Sequence, residues 1–144
     1  SFVWNDELLV GHPAMDDTHH EFVDCLNALL QAPNEGLLPA LDAFIVHAQA
    51  HFGDEDEWMR SSEFPPRDCH IEEHAKVMAS VHQVRQLLQE EGNVDVCRAL
   101  AKALYDWFPA HVQQLDSALA TWLVNRTHGG RPLVFRRKPT PAQA

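Results

Sequence analysis

Apolar side chains recur at intervals of three and four along most of the chain, the spacing that lines one face of a helix. Met15, His19, Phe22, Leu26 and Leu29 form one row, and Leu41, Phe44, Ala48, His51, Glu55 and Trp58 form a second. His70, His74, Val77, Val81, Val84 and Leu88 form a third; Leu100, Leu104, Trp107 and His111, continued by Leu115 or Asp116, form a fourth. Helix-ending residues flank these rows. Helices are expected from about Met15 to Gln31, ended by PNEG, and from Leu38, with Pro39 in its first turn, to Arg60, ended by SSEFPP. A third should run from Arg67 to Glu91 and stop at Gly92, and a fourth should start after Asn93 as N-cap and reach about Asn125. Short connections favour antiparallel neighbours, so the expected class is all-α, an up-down-up-down antiparallel four-helix bundle. The arm Ser1–Ala14 is expected to lie outside the helices, with the bundle ending at residue 125 and a basic, proline-containing extension over 126–144.

Composition narrows the setting. A chain of 144 residues can fill a single core. No apolar run approaches the roughly 18 residues of a membrane span, and SFVWNDELLV does not read as a secretory leader. The chain is therefore expected to be cytoplasmic, with no membrane partner. Residues 1–125 hold all 21 acids and six of the 11 bases, a formal charge of −15, which disfavours nucleic acid as a partner. Cys25, Cys69 and Cys97 are far apart and form no CxxC pair, so they are expected to be small, mostly buried thiols rather than a disulfide framework.

The polar residues inside the apolar rows carry the chemistry. His19, His51, His70, His74 and His111 face inward from four different helices. Of the four consecutive carboxylates Asp54–Glu57, the helical phase selects Glu55, one turn beyond His51. Buried imidazoles and carboxylates without partners are costly, and a shared metal centre would satisfy them together. Nitrogen and carboxylate oxygen without thiolate suits iron, manganese, cobalt or zinc. Five histidines exceed what one ion with bridging carboxylates needs, so two metals are the natural count.

The ordered set Met15-Asp16-x-x-His19, His51-Phe52-x-x-Glu55 with Met59, His70-x-x-x-His74 and Trp107-x-x-x-His111-x-x-x-x-Asp116 resembles the hemerythrins. The similarity spans roughly Trp4 to Trp122. It implies a non-haem di-iron centre: His70, His74 and His111 on one iron, His19 and His51 on the other, with Glu55, Asp116 and a solvent-derived oxygen as bridges. The iron with two histidines then keeps an open position, where dioxygen binds reversibly in the family. The resemblance also implies a pocket lined by Trp107, Phe108 and Val112, with Phe22 and Phe52 nearby. No protein partner is identified. An oxygen carrier, store or sensor is the expected function; a di-iron redox enzyme acting on peroxide or nitric oxide is the alternative.

Some details strain the pattern. Asp116 follows His111 by five residues, about 140° around a regular helix, so a local widening or a reach across the bundle axis is required. Pro109 interrupts the hydrogen-bond ladder beside the pocket. His12 and His47 stand where the family tends to have an apolar or aromatic residue, and His47 is expected to flank the site. His70-Ile-Glu-Glu-His74 also fits the H-x-x-E-H zinc-peptidase pattern, with Glu73 as base. That reading leaves His19, His51, Glu55, His111 and Asp116 unexplained. A ferritin-like arrangement lacks its E-x-x-H pairs at core positions.

Overall fold

A computed structural model describes residues 2–128, and among these there are helices and no strands. Helix α1 spans Pro13–Gln31, α2 Leu37–Ser61, α3 Arg67–Glu91 and α4 Val94–His111. A wide π-helical turn, Val112–Asp116, joins α4 to α5, Ser117–His128. The fourth column of the bundle is thus α4, the wide turn and α5 in series. None of the described helices is long and apolar enough to cross a membrane.

The helix ends follow from local chemistry. His12 caps α1: its Nδ1 accepts a hydrogen bond from the Met15 amide at 3.2 Å, and Pro13, which has no amide proton, follows as the first helical residue. Gly92 ends α3 at φ 63°, a left-handed conformation that lets its amide and that of Asn93 return to the carbonyls of Leu88 and Leu87. Asn93 then caps α4 through its side-chain oxygen, which accepts from the Val96 amide.

Two apolar cores stack along the bundle. The larger includes Phe22, Leu26, Leu41, Phe44, Phe52, Val81, Leu104, Phe108 and Val112; the smaller joins Met15, Met59, Phe64, Leu119, Ala120 and Leu123. Polar groups lie between them. The inward rows hold with small exceptions: Trp58, Val77 and Trp107 are half-buried, and Met59 takes the fully buried place beside Trp58.

The N-terminal arm is not outside the packed structure. Phe2 and Leu8 are buried, and Asn27 clasps Phe2, accepting from its amide at 2.6 Å and donating to its carbonyl at 2.8 Å. Asp16 accepts from the amides of Val10 and Gly11, which fixes the entry into α1. The thiols also divide differently from expectation, since Cys97 is buried, Cys25 half-buried and Cys69 exposed at the start of α3. The extension falls almost wholly outside the described residues, and α5 continues past residue 125 to His128.

Candidate metal centre

The six residues selected by helical phase, and Asp116, which the family resemblance added, converge between the two cores. His19, His51, Glu55, His70, His74, His111 and Asp116 are all buried, none more than 3% exposed. Asp116 reaches the centre because Val112–Asp116 is wound as a π-helix, whose extra residue per turn brings a residue five positions on back to the face of His111. The wide turn begins three residues after Pro109, which donates no bond to the preceding turn.

The two carboxylates divide their oxygens between two sets of histidines. Glu55 Oε2 lies 2.8 Å from His51 Nε2 and 3.5 Å from His19 Nε2, while its Oε1 lies 3.3 Å from His74 Nε2 and 3.8 Å from His70 Nε2. Asp116 repeats the division: Oδ2 is 2.9 Å from His19 Nε2, and Oδ1 is 3.0 Å from His70 Nε2 and 3.3 Å from His111 Nε2. One side therefore carries His19 and His51, the other His70, His74 and His111. Two overlapping groups could each hold a metal ion, Glu55 with His70, His74, His111 and Asp116, and His19 with His51 and Glu55.

Most of these contacts are not hydrogen bonds. Nε2 of His19, His70, His74 and His111, Oε1 of Glu55 and both oxygens of Asp116 are buried without a hydrogen-bond partner among the described residues. That many orphaned atoms in one place would be a severe penalty in a core unless a cation satisfied them. Lone pairs of imidazole and carboxylate suit iron and similar divalent ions, so the donor set fits.

The electrostatics agree. Burial disfavours charge on His19, but the adjacent carboxylates of Asp116 and Glu55 outweigh it and push its pKa up to about 10. Burial likewise opposes charge on His74, where Asp56 and Glu55 prevail and raise the pKa to about 9. His111 is raised too, against its burial, by Asp116 and Glu55. Burial would lift both carboxylates, yet the imidazoles of His51, His19 and His74 beside it hold Glu55 well below the carboxylate range, and those of His111, His19 and His70 hold Asp116 below it. Without metal, protons on the imidazoles compensate the two anions.

Aromatic rings enclose the centre. Phe108 meets His19 edge-on with ring centroids 5.5 Å apart and stacks on Phe22 at 4.2 Å, and Phe22 meets His51 edge-on at 5.8 Å. On the other side Phe52 stacks on His74 at 4.1 Å and Trp107 on His111 at 4.3 Å. Val112 is buried within the wide turn, in the same core as these rings.

The family model of the hemerythrin HHE cation binding domain matches residues 10–123. The chain belongs to the hemerythrin family. A bacteriohemerythrin of Ralstonia nicotianae is 38% identical over 123 residues, covering 85% of this chain and 89% of that relative. A bacteriohemerythrin of Aquifex aeolicus is 30% identical over 79% of this chain and 91% of its own length. A hemerythrin of Sipunculus nudus is 24% identical over 80% of this chain and 87% of its own. The four-helix bundle and a cluster able to hold metal are those of a hemerythrin.

Two carboxylates of this hemerythrin site were not singled out by the apolar rows. Asp56 Oδ1 accepts from His74 Nδ1 at 2.8 Å, and Glu73 Oε2 accepts from His111 Nδ1 at 3.1 Å and from the Trp107 indole N–H at 2.8 Å. Each neighbours a row residue, Asp56 following Glu55 and Glu73 preceding His74, and that adjacency was the available signal. The departures at His12 and His47 also resolve. His12 is a buried helix cap, with its ring beside Trp58. His47 is half-buried and meets His51 edge-on at 5.5 Å.

Proposed function

We propose that the chain binds dioxygen reversibly at a centre of two irons. The observation that carries this reading is the division of Glu55 and Asp116, each with one oxygen toward His19 and the other toward the His70, His74 and His111 set. A carboxylate serving one ion has no need of that arrangement; one spanning two ions does.

In this reading His70, His74 and His111 hold one iron, His19 and His51 the other, and Glu55 and Asp116 span both. When bound, the reduced irons would supply electrons to dioxygen and recover them on its release. The side held by His19 and His51 has one protein ligand fewer, which leaves room for a small molecule. The chain's own part is to keep that room apolar. Phe108 and Phe22 pack against His19 and His51 there and exclude water, and both are fully buried. Excluding water and protons preserves bound dioxygen against loss as a reduced product.

Anaerobic reduction followed by titration with dioxygen tests the proposal. A long-lived absorption spectrum that disappears when dioxygen is removed is expected. Rapid irreversible oxidation, or turnover of peroxide or nitric oxide, would instead identify a di-iron redox enzyme.

A further inference from the structure

Glu73 belongs to the H-x-x-E-H stretch of α3 but not to the cluster itself. Its carboxylate reaches from α3 to α4, where one oxygen, Oε2, accepts from both His111 Nδ1 and Trp107 Nε1. A carboxylate that accepts from an indole N–H is unprotonated at that oxygen, so the ring nitrogen of His111 facing it must be the protonated one. With a metal bound, His111 Nε2, which lies 3.3 Å from Asp116 Oδ1, is then the nitrogen left to offer its lone pair to the ion. Among the described residues, Nδ1 of His19, His51 and His70 is buried without a hydrogen-bond partner.

We propose that Glu73 is a positioning residue that fixes the tautomer of His111, makes its imidazole a stronger donor and so favours the ferric state of the iron it holds, with Trp107 sharing the same oxygen as a counterweight. The inference rests on the di-iron reading above. An anionic partner on Nδ1–H raises the basicity of the metal-facing nitrogen, and a more basic ligand stabilises the more highly charged ion. Glu73 is partly solvated, its side chain 36% exposed along the groove between α3 and α4 that Glu72, Lys76 and Leu104 also line. Solvent weakens the field of such a group, so a modest effect is expected.

The test is the midpoint potential of the iron-loaded full chain, compared among wild type, Glu73→Gln, Glu72→Gln and Trp107→Phe. Glu73→Gln is expected to lower the preference for ferric over ferrous iron about tenfold, a rise of about 59 mV for a one-electron step. Glu72→Gln removes an equal charge from a neighbouring residue that pairs with Lys76 rather than His111, and should move the potential little. Trp107→Phe keeps an aromatic ring over His111 but frees Glu73 Oε2 for His111 alone, so its shift should be of opposite sign. Should Glu73→Gln fail to load iron, the sign in Trp107→Phe decides. Equal shifts in the two glutamate variants, or a rise in Trp107→Phe, would overturn the role of Glu73. A wild-type chain that takes up no pair of irons would overturn the di-iron reading instead, before any variant is compared.

Discussion

In iron-free protein, protons on His19 and His74 do the work of a cation. Both pKa values, about 10 and about 9, lie above the ordinary histidine value of about 6.5. A group raised on folding stabilises the fold fully below its unfolded pKa, and that contribution is lost as pH climbs through the folded value. The iron-free protein should therefore lose stability between about pH 6.5 and pH 10, as melting temperatures across that range would show. Iron must displace the same protons, so its apparent affinity should rise over the same window. An iron-free melting temperature that does not fall across this range would contradict the coupling. Phe108 allows a second prediction at this scale. It stacks on Phe22 and abuts His19, so Phe108→Ala should cost about 3–5 kcal/mol of stability and open the wall to water. Faster autoxidation and tighter azide binding to the diferric form are expected, with iron content unchanged. His20, exposed with its ring tilted against that of Trp4, is the control: His20→Ala should alter neither property.

At the scale of elements, the wide turn decides whether Asp116 belongs to the site. Inserting one alanine between Gln113 and Gln114, both exposed, would rotate Asp116 by about 100° away from His111. Circular dichroism should still report a helical protein, while metal analysis should show lost iron; full iron loading would mean that Asp116 is dispensable. The sequence left two possibilities here, a widened turn or a reach across the bundle axis, because an aspartate five residues after His111 does not share its face on a regular helix. The widened turn is the one that forms, and Asp116 itself was named through the family resemblance. The helices were legible, since their apolar periods and capping residues agree: Arg67–Glu91 runs as expected, and α1 starts two residues early only because His12 serves as its cap. The packing of the arm was not legible, because the segment holding Phe2 and Leu8 is too short to show a period. The contacts of Asp56 to His74 and of Glu73 to His111 escaped for a different reason. A stripe identifies the face that points inward, whereas these side chains lie beside the stripe and reach a neighbouring helix.

For the molecule as a whole, the site lies between two apolar cores, so its metals and its fold should be coupled. Chelation would leave seven buried polar ligands with only protons and one another to satisfy them. If iron binds about 1,000-fold above its dissociation constant, its removal costs about 4 kcal/mol, a fall in melting temperature on the order of 10 °C. An unchanged melting curve after verified removal would show that the two cores suffice without the centre. The central claim is a pair of unequal irons joined by Glu55 and Asp116 with dioxygen bound reversibly on one side. Mössbauer spectroscopy of iron-loaded protein, reduced, oxygenated and returned to anaerobic conditions, tests it most directly. The expected result is two irons per chain, in two distinct environments of equal population after oxygenation, with the reduced spectrum restored once dioxygen is withdrawn. A single iron environment at one iron per chain, or an oxidised spectrum that persists after dioxygen is removed, would contradict it.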